Sequence, residues 1–153
     1  VEAIGDNMAL GLLEKGGNLQ IVLDVDGFGD EIPFGNALAL IDGEVEGDQL
    51  VLDETFLYTL GEGVTERVWT IQREADGSYS GGAGDILDRA AGESFGNAFR
   101  WAYSMDLPVD GKVYRVRFED WIFALDEQRI MNRSYIQKFG LAVAEVTIFM
   151  QRR

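Results

Sequence analysis

The sequence contains neither cysteine nor histidine. Without cysteine there is no disulfide, no thiolate nucleophile and no thiolate zinc site, and the chain carries no mark of its redox compartment. Without histidine there is no imidazole to move protons near neutral pH, to ligate a metal or to hold a haem. Ser-His-Asp and Cys-His catalysis are therefore excluded, and any enzymatic chemistry falls to carboxylates, tyrosine or lysine. Positive charge is also scarce, with 13 Lys and Arg against 27 Asp and Glu and a formal net charge of -14. That balance repels phosphate backbones, and no local basic patch offsets it, so nucleic acid is not expected as a partner. Long hydrophobic runs are missing too. No apolar stretch approaches the ~18 to 20 residues of a helical membrane span, and no signal peptide is visible in a chain that opens on Val1.

What is present is ample apolar material: 46% hydrophobic and 11% aromatic residues over 153 positions. This offsets the entropy of ordering the chain despite its charge, so a folded domain over 1–153 is expected, without help from disulfides or metals. The clearest element is VYRVRFEDW, residues 113–121. Tyr114, Val116 and Phe118 fall on one side and Val113, Arg115, Arg117, Glu119 and Trp121 on the other, the period of two of a pleated strand. Similar alternation runs through 49–58, 67–73 and 97–107, with Glu54 and Asp120 set among apolar neighbours. Further strands are expected at 37–41, 122–125, 129–139 and 141–150. If the chain holds a helix, 126–139 is its place.

Turn signals separate these runs. Asp76-Gly77 and Asp110-Gly111 are strong hairpin dipeptides, glycines crowd 78–96, and Gly140 divides the last two strands. A hairpin is expected from the runs 8–13 and 19–25, followed by an acidic, glycine-rich loop at 26–35. Nine or ten short strands without helical crossovers predict an all-β fold, an antiparallel up-and-down barrel of the lipocalin or calycin kind, with a β-sandwich as the alternative. A small barrel can hold one small ligand.

Three groups of residues carry chemistry. Asp24, Asp26, Asp30 and Glu31 form an oxygen-rich cluster whose spacing is not that of a calcium-binding EF-hand, so it reads as a solvated loop and no metal site is expected. Glu54 and Asp120 lie on apolar rows, where a carboxylate must find a partner or shift its pKa; Arg67, Arg100, Arg115, Arg117 and Arg133 are the candidate partners. Arginine also falls beside tryptophan three times, as Arg67 with Trp69, Arg100 with Trp101, and Arg117 with Trp121. Converging in a cavity, such pairs would grip a carboxylate head while aromatics line an apolar tail. On an outer face they would be charged ladders over buried aromatics. Asn132, Arg133, Ser134 and Tyr135, with Lys138 close behind, place a tyrosine near basic groups.

In order, LDETFLY, ERVWTI, GSYSGGAGDI, GNAFRWAYSMDLPVDGKVYRVRFEDWIF and MNRSYIQKFGLAVAEVTIF resemble an uncharacterised bacterial lipoprotein family, domain of unknown function 3833, over roughly residues 37 to 150. The positions that match the family are Glu54, Phe56, Arg67, Trp69, Gly96, Asn97, Trp101, Tyr103, Asp120, Trp121, Asn132 and Arg133. The resemblance implies a cell-envelope, periplasm-facing protein anchored through a lipidated N-terminal cysteine and encoded beside fatty-acid-modifying enzymes. This chain departs from it in having no cysteine, and the 26–35 loop looks like an insertion.

The resulting expectation is a barrel that binds or carries a lipid or other apolar small molecule, with no cofactor. Arg115, Arg117 and Trp121 would form its mouth, Arg67 and Arg100 would be alternatives for the head group, and Trp69, Trp101, Tyr103, Asp120, Asn132, Arg133 and Glu54 would complete the site. Two alternatives stand beside it. One is a structural or assembly subunit with a solid core and a protein partner in the envelope. The other is a lipid-modifying enzyme with Asp120 or Glu54 as base and Tyr135 or Tyr103 as acid.

Overall fold

The computed structural model describes residues 17–21, 37–58, 64–109 and 111–152. Ten strands account for nearly all of them: β1 (Gly17–Ile21), β2 (Ala37–Glu46), β3 (Gln49–Tyr58), β4 (Val64–Arg73), β5 (Tyr79–Gly82), β6 (Ala90–Phe95), β7 (Ala98–Val109), β8 (Lys112–Ala124), β9 (Arg129–Lys138) and β10 (Leu141–Gln151). Each strand pairs antiparallel with its neighbours in sequence, and β1 pairs with both β2 and β10, so the sheet closes on itself as an up-and-down, lipocalin-like barrel. A single closed circuit of hydrogen bonds leaves the sandwich alternative aside and removes free sheet edges. No helix occurs among the described residues. The helix considered for 126–139 is a turn followed by β9, because residues 129–138 alternate buried and less buried positions, as a half-buried strand requires.

Alternation decides which side chains enter the barrel. On β8 the inward row is Val116, Phe118, Asp120, Ile122 and Ala124, and on β7 it is Phe99, Trp101, Tyr103 and Met105. β2 runs unbroken through Gly43, where a break was expected, and pairs residue for residue with β3 from Ala37↔Tyr58 to Glu46↔Gln49. The Asp76-Gly77 signal marks a slightly longer turn. Glu74 N donates to Ser78 O, Gly77 N donates to Glu74 O, and the Asp76 carboxylate accepts from Ser78 N at 2.9 Å. Between β9 and β10 the two connecting residues, Phe139 and Gly140, both have positive φ, 54° and 79°. Positive φ at both central positions belongs to the tight hairpin turn whose twist matches that of its strands. The expected strand at 8–13 and the acidic loop at 26–35 lie outside the described residues, as does Asp110.

The interior is built on aromatics in contact. Trp69 meets Trp101 edge-on at 5.7 Å between centroids and Tyr103 at 5.0 Å; Phe99 stacks on Trp101 at 5.7 Å; Tyr103 stacks on Phe118 at 5.2 Å. Such pairs add about 0.5–1.5 kcal/mol each beyond the area they bury. Room for Trp101 comes from two glycines, Gly92 on the adjacent strand β6 and Gly81 on β5 beyond it. A Cβ on Gly92 would stand 2.5 Å from Trp101 Cε3, and one on Gly81 would stand 2.9 Å from Trp101 Cη2 and 2.6 Å from the Thr70 carbonyl oxygen. The indole therefore lies directly on backbone. Leu50, Tyr79, Phe99, Ala124 and Ile130, all buried, plug the end of the barrel that carries the β2–β3, β4–β5, β6–β7 and β8–β9 turns.

Candidate functional site

Beyond that plug the described side chains do not fill the barrel. They enclose a cavity of about 240 Å³. Most of its wall is apolar, contributed by Leu52, Trp69, Phe99, Phe118, Ile148 and Met150 among others, while Glu54, Arg67, Tyr103, Asp120, Asn132 and Ser134 supply its polar groups. Register explains why these six meet. Glu54 faces Arg67 across β3 and β4. Asp120 lies opposite Trp101 on β7 and opposite Ser134 on β9, and Asn132 lies two residues before Ser134 on the same inward row. One polar residue on each of several inward rows thus becomes a cluster once the sheet curls.

Arg67 is the one guanidinium in this wall, and it is already engaged. Its Nε and Nη2 donate to Asp85 Oδ2 at 2.9 and 2.5 Å, from the connection between β5 and β6. Its carbon also lies 5.8 Å from the Trp69 ring centroid, within cation–π range. Burial pushes the Glu54 carboxyl up to about 7, against the pull of Arg67 and a hydrogen bond from Trp69, with the Asp120 and Asp85 charges adding to the rise. Burial likewise pushes Asp120 up to about 6, although the Ser134 and Tyr103 hydroxyls and Arg67 favour its charged form. The Tyr103 phenol is raised well above its ordinary value, first by burial and then by the charge of Asp120.

Several buried polar atoms in this region have no protein partner: Asp120 Oδ1, Asn132 Oδ1 and Trp101 Nε1. Asn132 spends its amide on Ser134 Oγ at 3.3 Å, which leaves its carbonyl oxygen facing nothing that donates. Of the two outcomes expected for a carboxylate on an apolar row, a partner or a shifted pKa, Asp120 shows both in part: one oxygen is partnered, the other is not, and its pKa is raised. An unpartnered buried acceptor costs free energy that a bound donor would recover. Among the described residues no group of three or more acidic side chains is placed to hold a metal ion. Two carboxyls poised near neutrality can exchange protons with a bound molecule.

The structure splits the residues singled out from the sequence. Glu54, Arg67, Trp69, Trp101, Tyr103, Asp120 and Asn132 come together around the cavity. Arg100, Arg115, Arg117, Trp121 and Arg133 occupy outward positions, because each is one residue out of phase with the inward row of its strand. The mouth expected from Arg115, Arg117 and Trp121 is therefore not formed by them. Arg115 makes two hydrogen bonds to Asp106, at 3.0 and 3.2 Å. Arg100 bonds Glu119 at 3.0 Å, and Glu119 in turn accepts from Trp121 Nε1 at 3.1 Å. Arg133 pairs with Glu145 and covers the Tyr135 ring. Tyr135 shares that outer face, apart from Asp120, so the acid–base pairing of those two is not assembled. Sequence reasoning missed Asp85 and named Ser134 only within the Asn132–Tyr135 run, without placing it in the site. Ser134 was signalled by its two-residue spacing from Asn132, whereas Asp85 lies in a glycine-rich connection with no periodicity to place it.

Fold and cavity together define an antiparallel β-barrel with a largely apolar interior and a buried cluster of carboxyls. The model of a family described as a protein of unknown function (DUF3833) matches residues 36–152, and the chain belongs to that family. No curated protein matches it.

Proposed function

We propose that the protein binds a compact apolar small molecule, or the end segment of a lipid, inside the barrel. The observation that carries this reading is the cavity of about 240 Å³, walled by aromatic and aliphatic side chains with a few convergent polar groups. That combination is the usual character of a ligand site. A subunit with a solid core, the structural alternative, would not leave such a space. Size narrows the ligand. An apolar cavity of about 150 Å³ accommodates benzene, and drug-sized ligands fill about 300 Å³ or more. This cavity therefore suits a ring with a short tail or a single short chain, not a whole two-tailed lipid.

Trp69 and Trp101 line the cavity and report on its occupation. Titration with 1-octanol is expected to change their fluorescence saturably, with one molecule bound per chain by calorimetry. Native mass spectrometry of the purified protein is expected to show an adduct of a few hundred daltons at most. Absence of both saturable binding and an adduct would sink the reading.

A further inference from the structure

Resting on that binding reading, we infer that the ligand is an amphiphile with a protonated primary amine on a short apolar body, its head held against Asp120 and Glu54. The inference starts from which polar groups of the cavity are still in need of a partner. Asp120 and Asn132 line the cavity, are buried at 8% and 7% exposure, and each has an acceptor oxygen that no donor of the protein reaches. An ammonium group brings three donors and no acceptor. A hydroxyl brings one donor, and a carboxylate brings none.

Charge argues in the same direction. The charges of Asp120 and Asp85 both act on the Glu54 carboxyl, against the guanidinium of Arg67, which Asp85 already holds through two donors. A fatty-acid carboxylate would enter as a further acidic group with no free cation among the described lining residues to receive it. An ammonium would instead form charge-assisted hydrogen bonds, which are stronger than neutral ones. The rings of Trp69, Trp101 and Tyr103 also line the cavity, and aromatic surface attracts a cation. The grip on a carboxylate expected when several arginines were thought to converge is thus replaced by its opposite. Trp101 Nε1, the unpartnered buried donor among the described residues that line the cavity, fits a ligand with a single acceptor in its body but does not require one.

The test compares three probes of equal chain length, 1-octylamine, 1-octanol and octanoate, by calorimetry on the whole chain at pH 7.5 and 0.15 M salt. Octylamine is expected to bind at least about tenfold tighter than octanol, since one charge-assisted hydrogen bond is worth ~1.5–3 kcal/mol. Octanoate is expected to bind more weakly than octanol. Repeating the series at 0.5 M salt removes diffuse attraction of the amine to the net charge, and the preference should persist. Asp120→Asn is expected to bring the amine-to-alcohol ratio to within about threefold. Glu54→Gln serves the same purpose should the first variant fail to fold. Arg115→Ala, on the outer face, should leave the ratio alone. If octanol binds but octylamine binds no better, or octanoate binds as well as octylamine, the inference is overturned and the binding reading survives. If none of the three binds, both fall.

Discussion

Glu54 and Asp120 are the residues whose environment differs most from their intrinsic chemistry. Each holds its proton more tightly folded than unfolded, with carboxyls raised to about 7 and about 6 from ordinary values of 4.5 and 3.8. Their stabilising contribution is therefore complete only below about pH 4 and is lost as pH rises through 6 to 7. At 1.36 kcal/mol per pKa unit this is on the order of 3 kcal/mol for each group. Urea unfolding at pH 5 and pH 8 should show the double variant Glu54→Gln/Asp120→Asn losing less stability across that interval than the parent. Equal losses would mean that neither carboxyl is as buried as described. The groups facing them are Arg67, Asp85, Tyr103, Ser134 and Asn132, and of these only Asp85 is a further carboxyl. At the same scale, Gly92→Ala places a methyl 2.5 Å from Trp101 and 2.7 Å from Phe99. Overpacking of this kind costs about 1–3 kcal/mol, so a melting temperature several degrees below the parent is expected.

Elements explain what the sequence revealed and what it concealed. The strands of 49–58, 67–73, 97–107 and 113–121 were legible because each alternates cleanly, and alternation is local information. It also separated Asp120 from Arg117 and Trp121, yet three arginine–tryptophan neighbours drew attention to the outer face. Those neighbours are adjacent or near in sequence, while contact in a sheet runs across strands: Arg100 lies opposite Trp121, and Trp121 lies opposite Arg133. Which row faces inward was decidable from apolar content, since the Trp121 row carries two arginines and a glutamate. Asp85 was not legible, because the β5–β6 connection has no period; only the β4–β5 register, continued past Gly82, brings it opposite Arg67. That connection gives an expectation of its own. Asp85→Ala should release the Arg67 guanidinium and shift probe preference toward octanoate, read as a lower octylamine-to-octanoate affinity ratio. An unchanged ratio would mean that Arg67 remains neutralised by Glu54 alone.

On the scale of the whole molecule, a net charge of -14 on 153 residues makes self-repulsion a general destabilising force. Raising sodium chloride from 0.05 to 0.5 M is expected to raise the melting temperature, because screening shortens that repulsion to a few ångströms. A fall would indicate that ion pairs such as Arg67 with Asp85 and Arg100 with Glu119 outweigh it. Closure of the barrel through β1, the first strand, against β10, the last, means that the sheet cannot be completed until the ends of the described chain meet. Topologies dominated by such distant pairings fold in milliseconds to seconds, and refolding followed by tryptophan fluorescence should fall in that range.

The seat of Trp101 on Gly81 and Gly92 fixes more than one side chain. Along that arc the cavity is bounded by an indole lying on bare main chain, so no substitution at either glycine can shrink the wall and any larger residue would displace the ring. Inherited change in cavity size is thereby channelled to the opposite arc, where Val146, Ile148 and Met150 of β10 can be exchanged for smaller or larger neighbours. Relatives that hold the two glycines and the tryptophan constant should therefore record their differences in cavity volume along the last strand.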